Sequence, residues 1–238
     1  MTERSGPRYG TPNWAMLQRW MELPAAEDGP FWAVNLMRYP AQADHGEGGP
    51  AGVSGREADD AYAPVGPLAA VGALVALHAT VAEQLLGEPR WDRVGIVRYP
   101  SRAAFFAMQQ RDDFKAQHVH KEAGMDVTIV LACRPDSEVV ATSEGTLVLT
   151  VERGGSPVEP EALPGVVTVA ELAVEGVIVG DERAWSRAFF DRVPDRAALD
   201  AVSEAAAETE EAFVLVLEPD IDRLAESITT APSTGAQP

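Results

Sequence analysis

Apolar positions along the chain fall into short alternating or β-branched runs, most of them closed by proline. Phe31 to Tyr39 (FWAVNLMRY) reads as a strand ended by Pro40, because the residue before a proline is held extended and the proline itself cannot donate to a ladder. Before it, residues 1–30 are polar, with a short helix expected over Trp14 to Met21 and Asn13 as its N-cap. Residues 41–56, rich in glycine and alanine, form a loop. Ser54 and Glu57 have capping-box spacing, which starts a helix near Gly55 that runs towards Ala70, broken or kinked at Pro64 and Pro67. Ala73 to Leu85 is apolar with polar interruptions and is taken as a strand. Trp91 to Tyr99 (WDRVGIVRY) is another, stopped by Pro100. Ser101 caps a helix with Phe105 and Met108 three apart. A second helical stretch covers about Asp113 to Ala123, and Val127 to Cys133 (VTIVLAC) is a β-branched strand. The order is β-α-β-β-α-β, the split βαβ pattern.

The same order recurs in reduced form: a strand over Thr146 to Glu152, a short proline-bounded stretch at Glu159 to Leu163, strand material from Val166 to Val179 and from Trp185 to Val193, a helix over Ala197 to Ala207, and a final strand from Ala212 to Leu217. Gly87 to Phe105 (GEPRWDRVGIVRYPSRAAF) aligns with Gly180 to Leu199 (GDERAWSRAFFDRVPDRAAL) when Ala184 is treated as an insertion. Nine of 19 positions then agree, including Trp91 with Trp185 and Pro100 with Pro194. That match marks a duplication. A sheet with a bare apolar face must bury it, and a second copy in the same chain supplies the partner at high effective concentration. The expected fold class is therefore α+β, with tandem ferredoxin-like β-α-β-β-α-β repeats pairing as an intrachain pseudo-dimeric α/β barrel. Residues 1–30 form an extension, 31–135 the first repeat, 136–144 a linker, 145–228 a degenerate acidic repeat, and 229–238 a disordered tail.

Composition narrows the partners. The net charge is −18, which repels nucleic acid and anionic membranes. It is lopsided: residues 1–135 hold 13 basic and 16 acidic side chains, residues 136–238 hold 6 and 21, and all four histidines lie in the first part. The apolar runs are strand-length, there is no signal-peptide pattern, and a single cysteine excludes an intrachain disulfide, so a cytoplasmic protein is expected. Nucleotide-binding glycine loops and the HExxH and CxxC metal spacings are absent.

The strand MRYP after VNL, the segment SGREADDAY, the stretch WDRVGIVRYPSRAAFFAM and the helix ending HVHKEAG resemble a family of small uncharacterised proteins with a dimeric α/β-barrel fold, related to the NIPSNAP, EthD-like and antibiotic-biosynthesis-monooxygenase groups. The resemblance covers about residues 31–135, and reaches 145–218 only through the duplication. It implies two facing four-stranded sheets covered by helices, with ligands held between a sheet and its helices or at the barrel mouth. It names no activity, because such folds host cofactor-free oxygenases, isomerases, lyases, haem enzymes and regulatory modules.

Candidate chemistry concentrates in the first repeat. His118 and His120 lie near the end of its second helix. Helical neighbours two apart point about 200° apart, so one can face a pocket while the other faces solvent. Either can act as a general base near neutral pH, or simply favour the helix dipole. Alternation places His78 on one strand face with Ala76 and Thr80, and Val75, Leu77 and Ala79 on the other. Arg38 and Arg98 each occupy an Arg-Tyr-Pro triplet at a strand end, suited to clamping a carboxylate or enolate or to pairing with local acids. Asn35 can donate to a ligand carbonyl, and Tyr62 can offer a phenol or serve as packing. Cys133 is read as inert core. Two readings follow. In one, the first repeat binds a small apolar or aromatic molecule and acts on it without a cofactor, by isomerase, cyclase, lyase or oxygenase chemistry; His118, His120 and Arg98 are the catalytic candidates, and Asn35, Arg38, His78 and Tyr62 bind substrate. In the other, the chain is a non-catalytic binding or assembly module whose acidic half docks a partner. A haem ligated by His118 or His120, as the resemblance allows, is a further alternative, and the fused unit is a candidate homodimer.

Overall fold

The computed structural model describes residues 7–47, 49–154 and 163–230. In chain order its elements are β1 (Thr11–Pro12), α1 (Trp14–Met21), β2 (Phe31–Arg38), α2 (Gly55–Ala61), α3 (Val65–Ala70), β3 (Leu74–Leu86), β4 (Arg93–Tyr99), α4 (Arg102–Gln110), α5 (Asp112–Gly124), β5 (Val127–Pro135), β6 (Thr146–Arg153), β7 (Val167–Gly180), β8 (Arg187–Val193), α6 (Arg196–Ala207), β9 (Glu211–Asp222) and α7 (Leu224–Thr229). The start signals act as the sequence predicts. Asn13 accepts from the Met16 amide, Ser54 and Glu57 form a full capping box, and Ser101 caps α4; Asp195, not singled out from sequence, caps α6. The expected helix from Gly55 to Ala70 is two helices, α2 and α3, parted at Pro64.

Eight strands close into an antiparallel barrel in the order β7-β5-β2-β4-β3-β9-β6-β8, with β8 pairing back to β7; β1 adds a two-residue ladder to the outside of β7. The four strands of the first half lie in the order β5-β2-β4-β3 and those of the second in the order β9-β6-β8-β7. The seams are β3 with β9 and β5 with β7. Strands β3 and β7 are long because each turns a corner, serving its own half with one end and the other half with the rest. Bulges in β3 make that turn possible and account for the polar interruptions in its sequence. The predicted end of the last strand at Leu217 is exceeded. β9 continues through Pro219 to Asp222, because Pro219 sits beside a bulge opposite Ala79, where a missing amide hydrogen costs little.

The interior is one apolar core fed by both halves: Trp32, Val34 and Leu36 of β2, Leu77 and Ala79 of β3, Ile129, Leu131 and Cys133 of β5, and Leu147, Leu149 and Val151 of β6. The two tryptophans that align in the sequence repeat meet here across Phe213, at ring-centroid distances of 5.5 Å for Trp91 and 4.8 Å for Trp185. Residues of opposite parity point outward under the helices. Phe31, Ala33, Tyr99 and Val130 pack with α1, α3, α4 and α5, whereas Val148, Val214 and Val216 pack with α6. The stretch at Glu159 to Leu163 lies almost wholly outside the described residues, as do residues 231–238 of the predicted tail; Thr229 is the last residue of α7.

Candidate functional site

A cavity of about 430 Å³ lies between the outward face of the first-half sheet and helices α2 to α5. Its floor is a row across the strands. Register places Val130, Asn35, Gly95, His78 and Ile221 side by side. Gly95 leaves the middle of this row bare, and a Cβ added there would meet only the flexible end of Met37, at 3.2 Å. Tyr62, Phe105, Met108 and Phe114 supply an apolar and aromatic roof. Tyr9, from the segment before β1, closes one side. A shallower groove of about 750 Å³, lined by Arg8, His45 and Lys115 among others, adjoins the cavity through Gln109, Phe114 and His118.

Helix α5 carries the reactive face. Phe114, His118 and Lys121 follow at helical spacing and all line the cavity. The Lys121 ammonium lies over the rings of Tyr62 and Tyr9, 5.4 and 5.7 Å from their centroids. Among the described residues it has no carboxylate within ion-pair distance. Burial pulls its pKa down, against the weaker pull of the more distant Asp59 and Glu122 charges. His118 is tilted against Phe114 at 5.3 Å; its Nε2 is 3.4 Å from the Tyr9 hydroxyl and 3.6 Å from Glu122, while its Nδ1 is buried with no partner. Burial, helped by the Lys121 charge, pulls the His118 pKa down to about 4, so the ring is neutral at pH 7. Burial also pushes the phenols of Tyr9, Tyr62 and Tyr99 up, which keeps them protonated as hydrogen-bond donors.

The far wall is charged but internally paired. Arg93 bonds Asp59 at 2.8 Å and Asp60 at 2.7 Å, and Tyr39 donates to the same Asp59 at 2.5 Å. His78 Nδ1 lies 2.8 Å from a carboxylate oxygen of Asp220, a residue of β9, so the second half contributes to the first half's cavity across the seam.

Of the residues singled out from sequence, His118, Asn35, His78 and Tyr62 line this cavity, and His120, Arg38 and Arg98 do not. His120 turns the other way on α5, 5.7 Å from His45 between ring centroids. Arg38 pairs with Asp126 at the surface. Arg98 shares the inward parity of Val94 and Ile96, which puts it on the opposite side of the sheet from the cavity. Asn35 gives its amide hydrogens to the carbonyls of Ala33 and Gly95, so its free atom is the acceptor oxygen, not a donor. The expected faces of β3 are corrected too. A bulge between Val75 and Leu77 turns Ala76 inward and leaves Val75 outward with His78.

No family model matches the chain, and no curated protein matches it. Among solved structures, it is similar to RPA0582, a protein of unknown function from Rhodopseudomonas palustris, at 24% identity and a TM-score of 0.45 over 54% of this chain and 98% of that one. A methylated form of RPA0582 gives 25% identity and a TM-score of 0.45, over 52% and 90%. A mutant chlorite dismutase from Candidatus Nitrospira defluvii is similar at 10% identity and a TM-score of 0.44 over 85% and 95%.

Lys121, Tyr9, Arg93, Asp59 and Asp220 were not singled out from sequence. A signal existed for Lys121, which stands three residues after His118 and so on the same helix face. None existed for Tyr9 or Asp220, which reach the cavity only through β1 and the β3–β9 seam. No group of three or more histidine, cysteine or carboxylate side chains among the described residues is placed to hold a metal ion, and no helix there is long and apolar enough to cross a membrane.

Proposed function

We propose that this protein binds a small, largely apolar organic molecule bearing an acidic or enolisable oxygen in the cavity beneath α2–α5, and moves a proton on it without a resident cofactor. The observation that carries the reading is Lys121. An ammonium set against two aromatic rings, with no carboxylate within ion-pair distance among the described residues, is a charge in want of an anionic ligand. In this reading Lys121 holds the carboxylate or developing enolate oxygen, with the protonated phenols of Tyr9 and Tyr62 as further donors. His118, neutral and three residues away, accepts or returns the proton. His120, Arg38 and Arg98 have no part in it.

The same reading takes the chain as two ferredoxin-like repeats, 31–135 and 145–228, joined by 136–144 and paired as a pseudo-dimer akin to the dimeric α/β-barrel groups. Its supports are the nine shared positions and the matching strand order of the two halves. A cytoplasmic location and further pairing into a homodimer belong to it as well. A haem enzyme is less well supported. His118 packs against Phe114, Tyr62 and Tyr9 at centroid distances of 5.3, 6.1 and 6.3 Å, and its Nε2 already lies 3.4 Å from the Tyr9 hydroxyl and 3.6 Å from Glu122. A Soret band in the purified protein would reverse that judgement.

The test is deuterium wash-in. Arylalkyl and alkyl 2-oxo acids and 1,3-diketones, each with an enolisable C–H, are incubated with the protein in D2O and followed by NMR. Exchange above the buffer rate is expected, reduced about 100-fold by His118→Gln, with binding weakened about tenfold or more by Lys121→Met. Binding without any catalysed exchange would leave a non-catalytic binding module; absence of both would overturn the proposal.

A further inference from the structure

The two halves of the chain differ at a central floor position of the layer between sheet and helices. In the sequence repeat Gly95 aligns with Phe189, and Arg93 with Arg187. The ladders agree. Gly95 lies between Asn35 and His78, and Phe189 lies between Thr150 and Glu171 at the corresponding places of β8. In the second half, among the described residues, the space between sheet and α6 is about 20 Å³, lined by Phe189, Thr150 and residues of α6. In the first half it is about 430 Å³. Phe189 is 3% exposed, and the Arg187 guanidinium stands 5.9 Å from its ring centroid. The first half keeps the arginine, since Arg93 lines the cavity, paired with Asp59 and Asp60 and set 5.4 Å from the centroid of Tyr39, but it has no side chain at the Gly95 position to fill the space that Phe189 takes.

We infer that a planar ring of the ligand lies over Gly95, beside Arg93, in the place that the Phe189 side chain fills in the second half, so that each chain holds one ligand and that ligand is a single-ring aromatic acid or its close relative. The inference rests on the binding reading above and adds ring, position and stoichiometry to it. The second half acts as an internal template. It shows which group this layer of sheet and helix accommodates when the floor position is filled, and Gly95 is the position where the chain leaves that group to be supplied from outside. The carboxylate of such a ligand is taken by Lys121, which lines the cavity from α5 and has no carboxylate within ion-pair distance among the described residues. Aromatic rings gain from edge contacts with Phe105 and Phe114 that a saturated ring of equal size does not make.

Benzoate and cyclohexanecarboxylate carry the same charge on rings of similar size, and their binding to the full chain is measured by calorimetry and ligand-observed NMR. Benzoate is expected to bind at one site per chain, about tenfold tighter than the saturated acid, and Gly95→Phe is expected to abolish its binding while the melting temperature stays at or above the wild-type value. Gly95→Val serves if the larger side chain does not fold, and is expected to weaken benzoate at least tenfold. Equal or tighter binding of cyclohexanecarboxylate, two sites per chain, or unchanged binding by folded Gly95 variants would overturn the inference and leave the binding reading intact. Failure of both acids to bind at millimolar concentration would overturn both.

Discussion

His118 and Lys121 set the electrostatics of the cavity, and each carries a measurable consequence. The folded-state pKa of His118 is depressed from 6.5 to about 4, so the unfolded chain takes up the proton first as pH falls. Stability from this residue is complete above pH 6.5 and lost between pH 6.5 and 4, by about 2–3 kcal/mol once its partial exposure is discounted. Urea titrations across that range should show the loss, His118→Gln should flatten it, and ring NMR should place the midpoint near 4. Lys121 behaves differently because its cost is desolvation without a partner. Lys121→Met should raise the melting temperature, by an amount corresponding to about 1 kcal/mol or more, while weakening anionic ligands. A drop in melting temperature would mean that the ammonium has a stabilising partner in the folded protein.

Among elements, α2 and α5 decide whether the cavity keeps its shape. They cross at Gly55 and Gly124: a Cβ on Gly124 would meet the Gly55 carbonyl at 2.6 Å and the Ala58 side chain at 2.9 Å, and one on Gly55 would meet the carbonyls of Gly124 and Pro40 at 2.7 Å. Backbone cannot yield there as a side-chain end can, so Gly124→Ala should cost about 1–3 kcal/mol and loosen ligand binding, read by calorimetry and by denaturant melts. Gly95→Ala, opposite only the Met37 methyl, should be nearly neutral in denaturant melts. The bulge in β3 has an equally local cause and a distant effect. One extra residue at Ala76 brings Val75 and His78 to the same side, and with them the carboxylate of Asp220 from β9.

For the whole molecule, closure is what makes the halves interdependent. The barrel interior is a single core, and cutting the chain at residue 140 would bare the apolar inner faces and the edges of β3 and β5 together. The fragment 1–140 is therefore expected to self-associate, with sedimentation showing dimers or larger species and no folded monomer. Phe213→Ala, which empties the contact between Trp91 and Trp185, should cost about 3–5 kcal/mol and lower a single transition seen alike by tryptophan fluorescence and circular dichroism. Two separate transitions would show that each half carries its own stability.

Sequence by itself determined the eight barrel strands, the helices α1, α2, α4, α5 and α6, and their order, whereas β1, the separation of α3 and the helix α7 came only with the structure. Period-two runs closed by Pro40, Pro100 and Pro194 mark strands, Ser54 with Glu57 and Ser101 mark helix starts, and the aligned tryptophans mark two like halves, because each of these signals acts through the backbone within a few residues. It also placed His118 and His120 on different sides of α5, since helical angle is local. Tertiary structure alone decided which polar side chains share a cavity. Parity put Arg98 inside the barrel wall rather than over the helix-side cavity, a bulge changed the company of His78, and a seam delivered Asp220. The isolation of Lys121 is likewise a property of the assembled fold, because loss of water and of counter-charge is a sum over neighbours from distant parts of the chain, Tyr9 and Tyr62 among them, and no spacing along the sequence encodes that sum.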